Sequence, residues 1–208
     1  MKSRFNISPH TRAPVVRMVG GSPRCDDMRW GFQPRWLREE SHAQINVRAE
    51  HIFDTLMFKE SALERRCIVP ASGWYEWPDN DNAKQPLYLH RKNDGLIAFA
   101  GIWVPCRSGD WVEEDTYAII TTNANPTSTL IHNRTPAILS AYEYEVWLDP
   151  NNQDLKRLRN SLRPYRPADL ESYPVGPYVN NPVHNTEKCI ERAALPPAED
   201  GGRATGLT

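Results

Sequence analysis

A glutamate surrounded by aromatic residues is the first candidate for chemistry in this chain. Glu76 lies in the stretch 66–78, next to Trp74, Tyr75 and Trp77. In a strand, Glu76 would face away from Tyr75 and Trp77, and poor solvation among the rings would raise the pKa of its carboxyl group. Such a carboxyl can serve as a general acid or base. The alternative is an ordinary exposed glutamate on an edge strand.

Asn46 and His132 are two further polar residues that, like Glu76, stand at the ends of apolar segments. A barrel-like fold places such residues at its mouth, so the sequence predicts that the three side chains converge there. His132 follows two apolar residues, and a lone histidine in that setting is also common as a core or loop residue.

Other kinds of site have weaker support in the sequence. Ser72 lacks the Gly-x-Ser-x-Gly setting of a hydrolase nucleophile. His184 and Cys189 are too isolated to form a metal site. We therefore expect neither a metal nor a cofactor.

Composition indicates an ordinary globular protein with an uneven charge distribution. The 208 residues are 39% hydrophobic and 25% charged, with a net charge of −1. Residues 1–50 carry a balance of +4, which suits either a nucleic-acid groove or a solvated arginine-rich surface. No apolar run is long enough for a membrane span or signal peptide, and the four cysteines are scattered. We expect a cytoplasmic monomer with reduced thiols.

The elements that must position these residues are short strands separated by turns. We predict an α+β fold with an antiparallel, barrel-like core and peripheral helices, in one domain over 1–195 with a disordered tail at 196–208. Predicted strands cover 15–19, 67–69, 74–77, 85–91, 96–104, 117–122 and 173–181, with irregular strand and loop at 28–36 and a hairpin turn at 93–95. Predicted helices cover 49–63, a segment opened by a Ser140–Glu143 capping box, and 153–162.

Five stretches, in order, resemble the SOS-response-associated peptidase family, whose members crosslink to abasic sites in single-stranded DNA. They are Arg-Phe-Asn-Ile-Ser-Pro at 4–9, Trp-Gly-Phe-Gln-Pro at 30–34, Ile-Asn-Val-Arg-Ala-Glu at 45–50, the aromatic stretch at 66–77, and Ile-His-Asn-Arg-Thr-Pro at 131–136. Five ordered matches are far more specific than any single one.

The resemblance implies roles for the three polar residues. The family's substrate is a ring-opened deoxyribose aldehyde, an electrophile that an amine or thiol attacks. Glu76 would be the acid/base that assists ring opening, Asn46 would orient the site or the N-terminus, and His132 would assist sugar chemistry and reversal of the adduct. The implied DNA-binding residues are Arg4, Arg48 and Arg134 on phosphates, with Trp36 and Trp77 stacking on bases.

The chain departs from the family at the nucleophile. The family begins Met-Cys-Gly-Arg-Phe, whereas this chain begins Met-Lys-Ser-Arg-Phe and has no cysteine in its first 24 residues. Residues 4–9 match the family's second element, so a segment ahead of it is expected to be missing, in a shortened variant or because the true start lies elsewhere. Lys2 then occupies the nucleophile position, and is expected to block removal of Met1.

Three functions remain open at this stage. The protein could form a labile Schiff base with abasic DNA through Lys2 or the Met1 amine. It could instead bind single-stranded DNA without chemistry, or act as a hydrolase or autopeptidase, although the sequence offers no convincing hydrolytic nucleophile.

Overall fold

The computed structural model describes residues 3–78, 85–105, 114–124, 133–164 and 168–193. The described strands, in chain order, are β1 (Arg12–Val19), β2 (Ser22–Trp30), β3 (Asn46–Arg48), β4 (Arg66–Ala71), β5 (Gly73–Glu76), β6 (Leu87–Arg91), β7 (Ile97–Val104), β8 (Thr116–Asn123), β9 (Arg134–Pro136) and β10 (Leu170–Pro174). The α-helices are α1 (Leu56–Glu64), α2 (Tyr144–Leu148) and α3 (Leu155–Ser161), with 3-10 turns at Glu40–His42, Ala141–Glu143, Pro177–Asn180 and Glu187–Ile190.

The larger sheet closes into a ring of hydrogen-bonded strands. The order β2-β1-β4-β7-β8 is antiparallel throughout, and β2 then pairs in parallel with β8 through Arg29–Thr116 and Trp30–Tyr117. The short strands β3 and β9 both attach to β8, on opposite edges of its second half. The predicted α+β class with a mainly antiparallel core is confirmed.

The smaller sheet consists of β10, β6 and β5, all antiparallel. Its middle strand approaches β5 closely at Gly73, where a Cβ atom would lie 2.4 Å from the carbonyl oxygen of Leu89. A residue without a side chain is therefore needed at this position. The turn predicted at 93–95 exists, with Asp94 at a positive φ of 54°, but it joins β6 to β7 in the other sheet and makes no hairpin.

Two clusters of buried side chains hold the ring and the helices together. One packs the helices onto the sheet through residues such as Phe53, Trp147 and Leu158. The other includes Val15 and Phe99 and continues to Trp74 at the small sheet. Burial of this apolar area is the dominant favourable term in folding.

Helix α1 begins seven residues later than the predicted start at 49. Residues 51–54 form turns, and His51 accepts hydrogen bonds from the backbone amides of Asp54 and Thr55. Ile52, Phe53 and Leu56 follow the spacing of one helix face, but only Ile52 and Phe53 are buried, whereas Leu56 is 91% exposed. The helical spacing does not predict the burial of Leu56, because the residues before it are not helical.

The last predicted strand, 173–181, was too long. Strand β10 ends at Pro174, and a 3-10 turn follows at Pro177–Asn180. Pro174 still pairs with Leu87, and the Val175 amide donates to the Pro86 carbonyl at 2.9 Å. The extended chain ends where Pro177, whose ring suits the first position of a helix, begins the 3-10 turn. The strand β2 continues to Trp30 where irregular structure was expected.

The predicted Ser140–Glu143 capping box is present, and the predicted helix at 153–162 corresponds to α3. Cys25, Cys67 and Cys189 are free thiols. Residues 79–84, Cys106 and the tail from 196 lie outside the described residues. No helix in the described part of the chain has the length and apolar character needed to cross a membrane.

Candidate functional site

A groove of about 930 Å³ opens where the two sheets and the N-terminal segment meet. We define the N-terminal segment as residues 3–9, all of which line the groove. Side chains predicted for the site come to it from separate elements: Asn46 from β3, Glu76 from β5 and Arg134 from β9.

Strand β3 places Asn46 on the groove because its residues alternate between core and surface. Val47 is buried, whereas Asn46 and Arg48 on either side of it are exposed and share one face. The parallel pairing with β8 sets their position along the sheet, with Asn46 opposite Ile119 and Arg48 opposite Thr121. Ile119 and Thr121 also line the groove, so β3 and β8 together form one wall.

Strand β5 brings Glu76 to the groove from the other sheet. Glu76 and Trp74 lie on the same face, and the Trp74 indole N–H donates to Glu76 Oε1 at 3.2 Å. The Trp74 ring meets Phe99 edge-on with centroids 5.7 Å apart, which fixes the indole against the larger sheet. Glu76 faces away from Tyr75, as predicted, because side chains alternate between the two faces of a strand. The Tyr75 hydroxyl donates to the carbonyl of Phe5.

Arg134 is held at the groove by a fork of hydrogen bonds. Its Nη1 donates to Glu50 Oε1 at 2.7 Å and its Nη2 to Glu50 Oε2 at 3.0 Å, a bidentate pair. The same guanidinium donates to Asn123 Oδ1 at 2.8 Å and to the carbonyl of Thr121 at 2.5 Å. The Arg134 hydrogen bond is the main reason that the pKa of Glu50 lies below its ordinary value. This pair ties β9 to the turn after β3 across β8.

The N-terminal segment is anchored by side chains from distant parts of the chain. Arg4 donates to the carbonyl of Arg12 and, at 3.2 Å, to Thr11 Oγ1. Asn185 Oδ1 accepts from the backbone amides of Phe5 and Asn6, at 2.6 and 3.2 Å. Arg4 therefore lines the groove, but its guanidinium also ties the segment to β1.

The two tryptophans predicted to bind bases lie in different places. Trp77 lines the groove, is 42% exposed and donates from its indole N–H to Asn180 Oδ1 at 2.8 Å. Trp36 is 65% exposed on the segment after β2 and does not belong to the groove lining. Arg48 is also outside the lining, although it shares the exposed face of Asn46.

His132 and Lys2 both lie outside the described residues, so their predicted places stay predictions. Arg134, two positions after His132, does line the groove. The structure thus brings together Asn46, Glu76, Arg4, Arg134 and Trp77. Their roles stay predictions as well.

Sequence reasoning missed Asn185, Asn180, and the part played by Tyr75. Each acts through a hydrogen bond to a residue at least 70 positions away, and no local pattern encodes such a partner. Burial raises the pKa of Tyr75 above its ordinary value and that of Tyr88 to about 12, so both phenols stay protonated and can donate. Within the described residues, no cluster of three His, Cys, Asp or Glu side chains could hold a metal.

The arrangement can bind an anionic, ring-bearing polymer and transfer a proton beside it. Arg4 and Arg134 contribute positive charge, Trp74 and Trp77 offer indole rings, and Glu76 is the carboxyl group between them. Asn46 can donate and accept hydrogen bonds. Aromatic faces with cationic groups are typical of surfaces that bind single-stranded nucleic acid without reading its sequence.

Comparisons with known proteins agree with this description. The model of the family "SOS response associated peptidase (SRAP)" matches residues 1–182. The abasic site processing protein YoqW of Bacillus subtilis is 34% identical over 190 residues, which cover 90% of this chain and 85% of YoqW. The abasic site processing protein HMCES of Xenopus tropicalis is 27% identical over 226 residues, covering 92% of this chain and 66% of HMCES.

Solved structures share the fold. The crystal structure of a protein from Bacteroides thetaiotaomicron superposes with a TM-score of 0.77 at 28% identity, covering 89% of this chain and 82% of that one. A phage-related protein from Bordetella bronchiseptica gives a TM-score of 0.67 at 29% identity, covering 82% and 80%.

Proposed function

Because the chain belongs to the SOS response associated peptidase family, we propose that it processes abasic sites in single-stranded DNA. The observation that carries the proposal is the groove itself. Asn46, Glu76 and Arg134 come from three separate strands and line one opening together with Trp77. Relatives named abasic site processing proteins match nine tenths of the chain, which supports the same substrate here.

The proposed binding mode uses charge and stacking. Phosphates would lie along the basic side of the groove, near Arg4, Arg134 and the exposed Arg48. Bases flanking the abasic site would stack on Trp77, whose ring is accessible at the edge of the groove. Such contacts recognise a single strand of any sequence, which suits a lesion that has lost its base.

The proposed chemistry is formation of a Schiff base with the sugar aldehyde. An amine of Lys2 or Met1 adds to the aldehyde carbon, and the former carbonyl oxygen becomes a hydroxyl group. A protonated Glu76 gives its proton to that hydroxyl, which leaves as water while the nitrogen lone pair forms the C=N bond. The Glu76 carboxylate then takes the remaining N–H proton, which returns Glu76 to its protonated form. The reverse sequence, with water as nucleophile, releases the DNA. Asn46 would orient the reacting groups by hydrogen bonding.

Borohydride trapping tests this function. The wild-type protein is incubated with a labelled single strand that carries one abasic site, and reduction of the imine leaves a stable amine link seen by intact mass spectrometry. We expect Glu76→Gln to lower the trapping rate by about 100-fold, the low end of general acid catalysis. Glu145→Gln, which changes an exposed glutamate on α2, should leave the rate unchanged.

Three results would count against the proposal. A tetrahydrofuran site has no aldehyde, so any trapped product with it would show that the link is not an imine. If the wild type gives no product with the abasic strand, yet binds the tetrahydrofuran strand in a salt-dependent manner, the protein is a binder without chemistry. If it neither reacts nor binds, the abasic-site function is wrong.

A further inference from the structure

A single asparagine side chain fixes the backbone of the N-terminal segment. Asn185 Oδ1 accepts from two consecutive amides, those of Phe5 at 2.6 Å and Asn6 at 3.2 Å. On the other side of the same residue, the Tyr75 hydroxyl donates to the carbonyl of Phe5 at 2.6 Å. Both backbone polar groups of Phe5 are thus satisfied by side chains, which leaves its peptide units little freedom.

The loop that carries Asn185 is itself well held. The His184 ring stacks on Tyr178 with centroids 3.7 Å apart and planes 9° apart, and His184 Nδ1 lies 2.7 Å from the carbonyl of Tyr178. The backbone amide of His184 donates to the carbonyl of Asn181 at 3.0 Å. Asn185 Oδ1 therefore accepts its hydrogen bonds from a loop that stacking and hydrogen bonds hold in place.

Asn6 adds a second connection in the opposite direction. Its side-chain amide donates to the carbonyls of Val179 at 3.0 Å and Asn181 at 3.2 Å. The loop and the N-terminal segment thus exchange hydrogen bonds both ways. The segment is held as one wall of the groove that Glu76 lines from the smaller sheet.

We infer that Asn185 is a positioning residue for the reaction proposed above: it fixes Phe5 and Asn6, and so the point from which Arg4 and Ser3 extend along the groove. This inference rests on the proposed function, because the reacting amine is placed on Lys2 or Met1. An amine three or four residues from a fixed anchor samples far fewer positions than one on a loose end. Small losses of alignment cost large factors in rate.

The experiment compares Asn185→Ala with Asn185→Asp in the full chain. Among the described residues, the Asn185 side chain forms hydrogen bonds only through Oδ1, so aspartate keeps both bonds and alanine loses them. At saturating abasic DNA, we expect Asn185→Ala to slow borohydride trapping by about 10-fold, with the half-saturating DNA concentration within about twofold of wild type. Asn185→Asp should restore the rate. Asn151→Ala, which changes an exposed asparagine beyond α2, serves as the matched control.

Hydrogen exchange of the Phe5 and Asn6 amides provides a readout independent of catalysis. These two amides should exchange at least about 10-fold faster in Asn185→Ala and near the wild-type rate in Asn185→Asp. Unchanged exchange, or faster exchange with unchanged trapping, would overturn the inference. If the wild type traps no DNA, the proposed chemistry fails, and with it the positioning role. The exchange data would then report only on a structural contact.

Discussion

Arg66 and Arg134 show how the surroundings of an arginine side chain determine its structural role. Arg66 begins β4 and is 3% exposed. Among the described residues, its guanidinium donates only to backbone carbonyls, those of Trp147 at 2.6 Å, Ala62 at 2.9 Å, Leu63 at 2.5 Å, Asn152 at 3.2 Å and Asp149. Arg134 lies half-buried beside the groove and pairs with a carboxylate, Glu50.

The acceptors explain the contrast. The carbonyls around Arg66 lie at and just beyond the ends of α1 and α2, where helices leave carbonyls without partners and the helix dipole is negative. Burial lowers the pKa of Arg66 to about 10, so the group remains charged at neutral pH. Arg66 connects the ends of two helices, whereas Arg134 pairs with an acidic side chain beside the groove. Both occur in family-like sequence elements, so the motif alone does not distinguish these tasks.

Removing Arg66 should have the largest effect on stability. We expect Arg66→Met to lower the free energy of unfolding by about 3–5 kcal/mol, because several buried carbonyls lose their donor. Arg66→Lys should recover little of this loss, since an ammonium group cannot reproduce the planar fork. Urea denaturation measures the difference, with exposed Arg163→Met as control. If Arg66→Met lowered the free energy of unfolding by less than about 1 kcal/mol, Arg66 would not have the structural role that separates it from Arg134.

Replacing Arg134 should cost less stability and more function. For Arg134→Gln we expect a loss of about 1–2 kcal/mol, because the Glu50 carboxylate is partly exposed and can recover water. Binding of single-stranded DNA should weaken, and its dependence on salt should become shallower by about one charge. Fluorescence anisotropy over a salt series checks this. DNA binding identical to wild type would mean that Arg134 only supports the fold.

The smallest effect should be the acid dependence of the Glu50–Arg134 pair. The pKa of Glu50 is lowered on folding, so the pair contributes stability above the ordinary value of 4.5 and loses it as pH falls through the lower folded value. Glu50→Gln should cost only about 0.5–1 kcal/mol at neutral pH, since solvent screens the pair. The difference in stability between Glu50→Gln and the wild type, measured by thermal unfolding, should become smaller below pH 4.5. A gap constant down to pH 3 would contradict this assignment.

Local features of the fold were predictable from the sequence. The buried strands around 67–69, 97–104 and 117–122 follow from continuous apolar runs, and the Ser140–Glu143 capping box follows from spacing within one turn. Glu76 faces away from Tyr75 because strand alternation requires it. These properties depend on residues that are neighbours in the chain.

Non-local features were not predictable in this way. The parallel pairing of β2 with β8 and the division into two sheets depend on partners distant in sequence. The same holds for the groove: Asn46 and Glu76 could be selected as candidates, but nothing near Asn185 indicates that it holds Phe5. Likewise the five carbonyls around Arg66 belong to segments that only packing brings together.

The contact between Asn185 and the amides of Phe5 and Asn6 has a consequence during translation. Phe5 and Asn6 leave the ribosome early, and their acceptor emerges 180 and 179 positions later. The ring also stays open until β8 has emerged to meet β2. A nascent chain therefore holds neither its N-terminal segment nor its ring of strands in place until these later segments have been made.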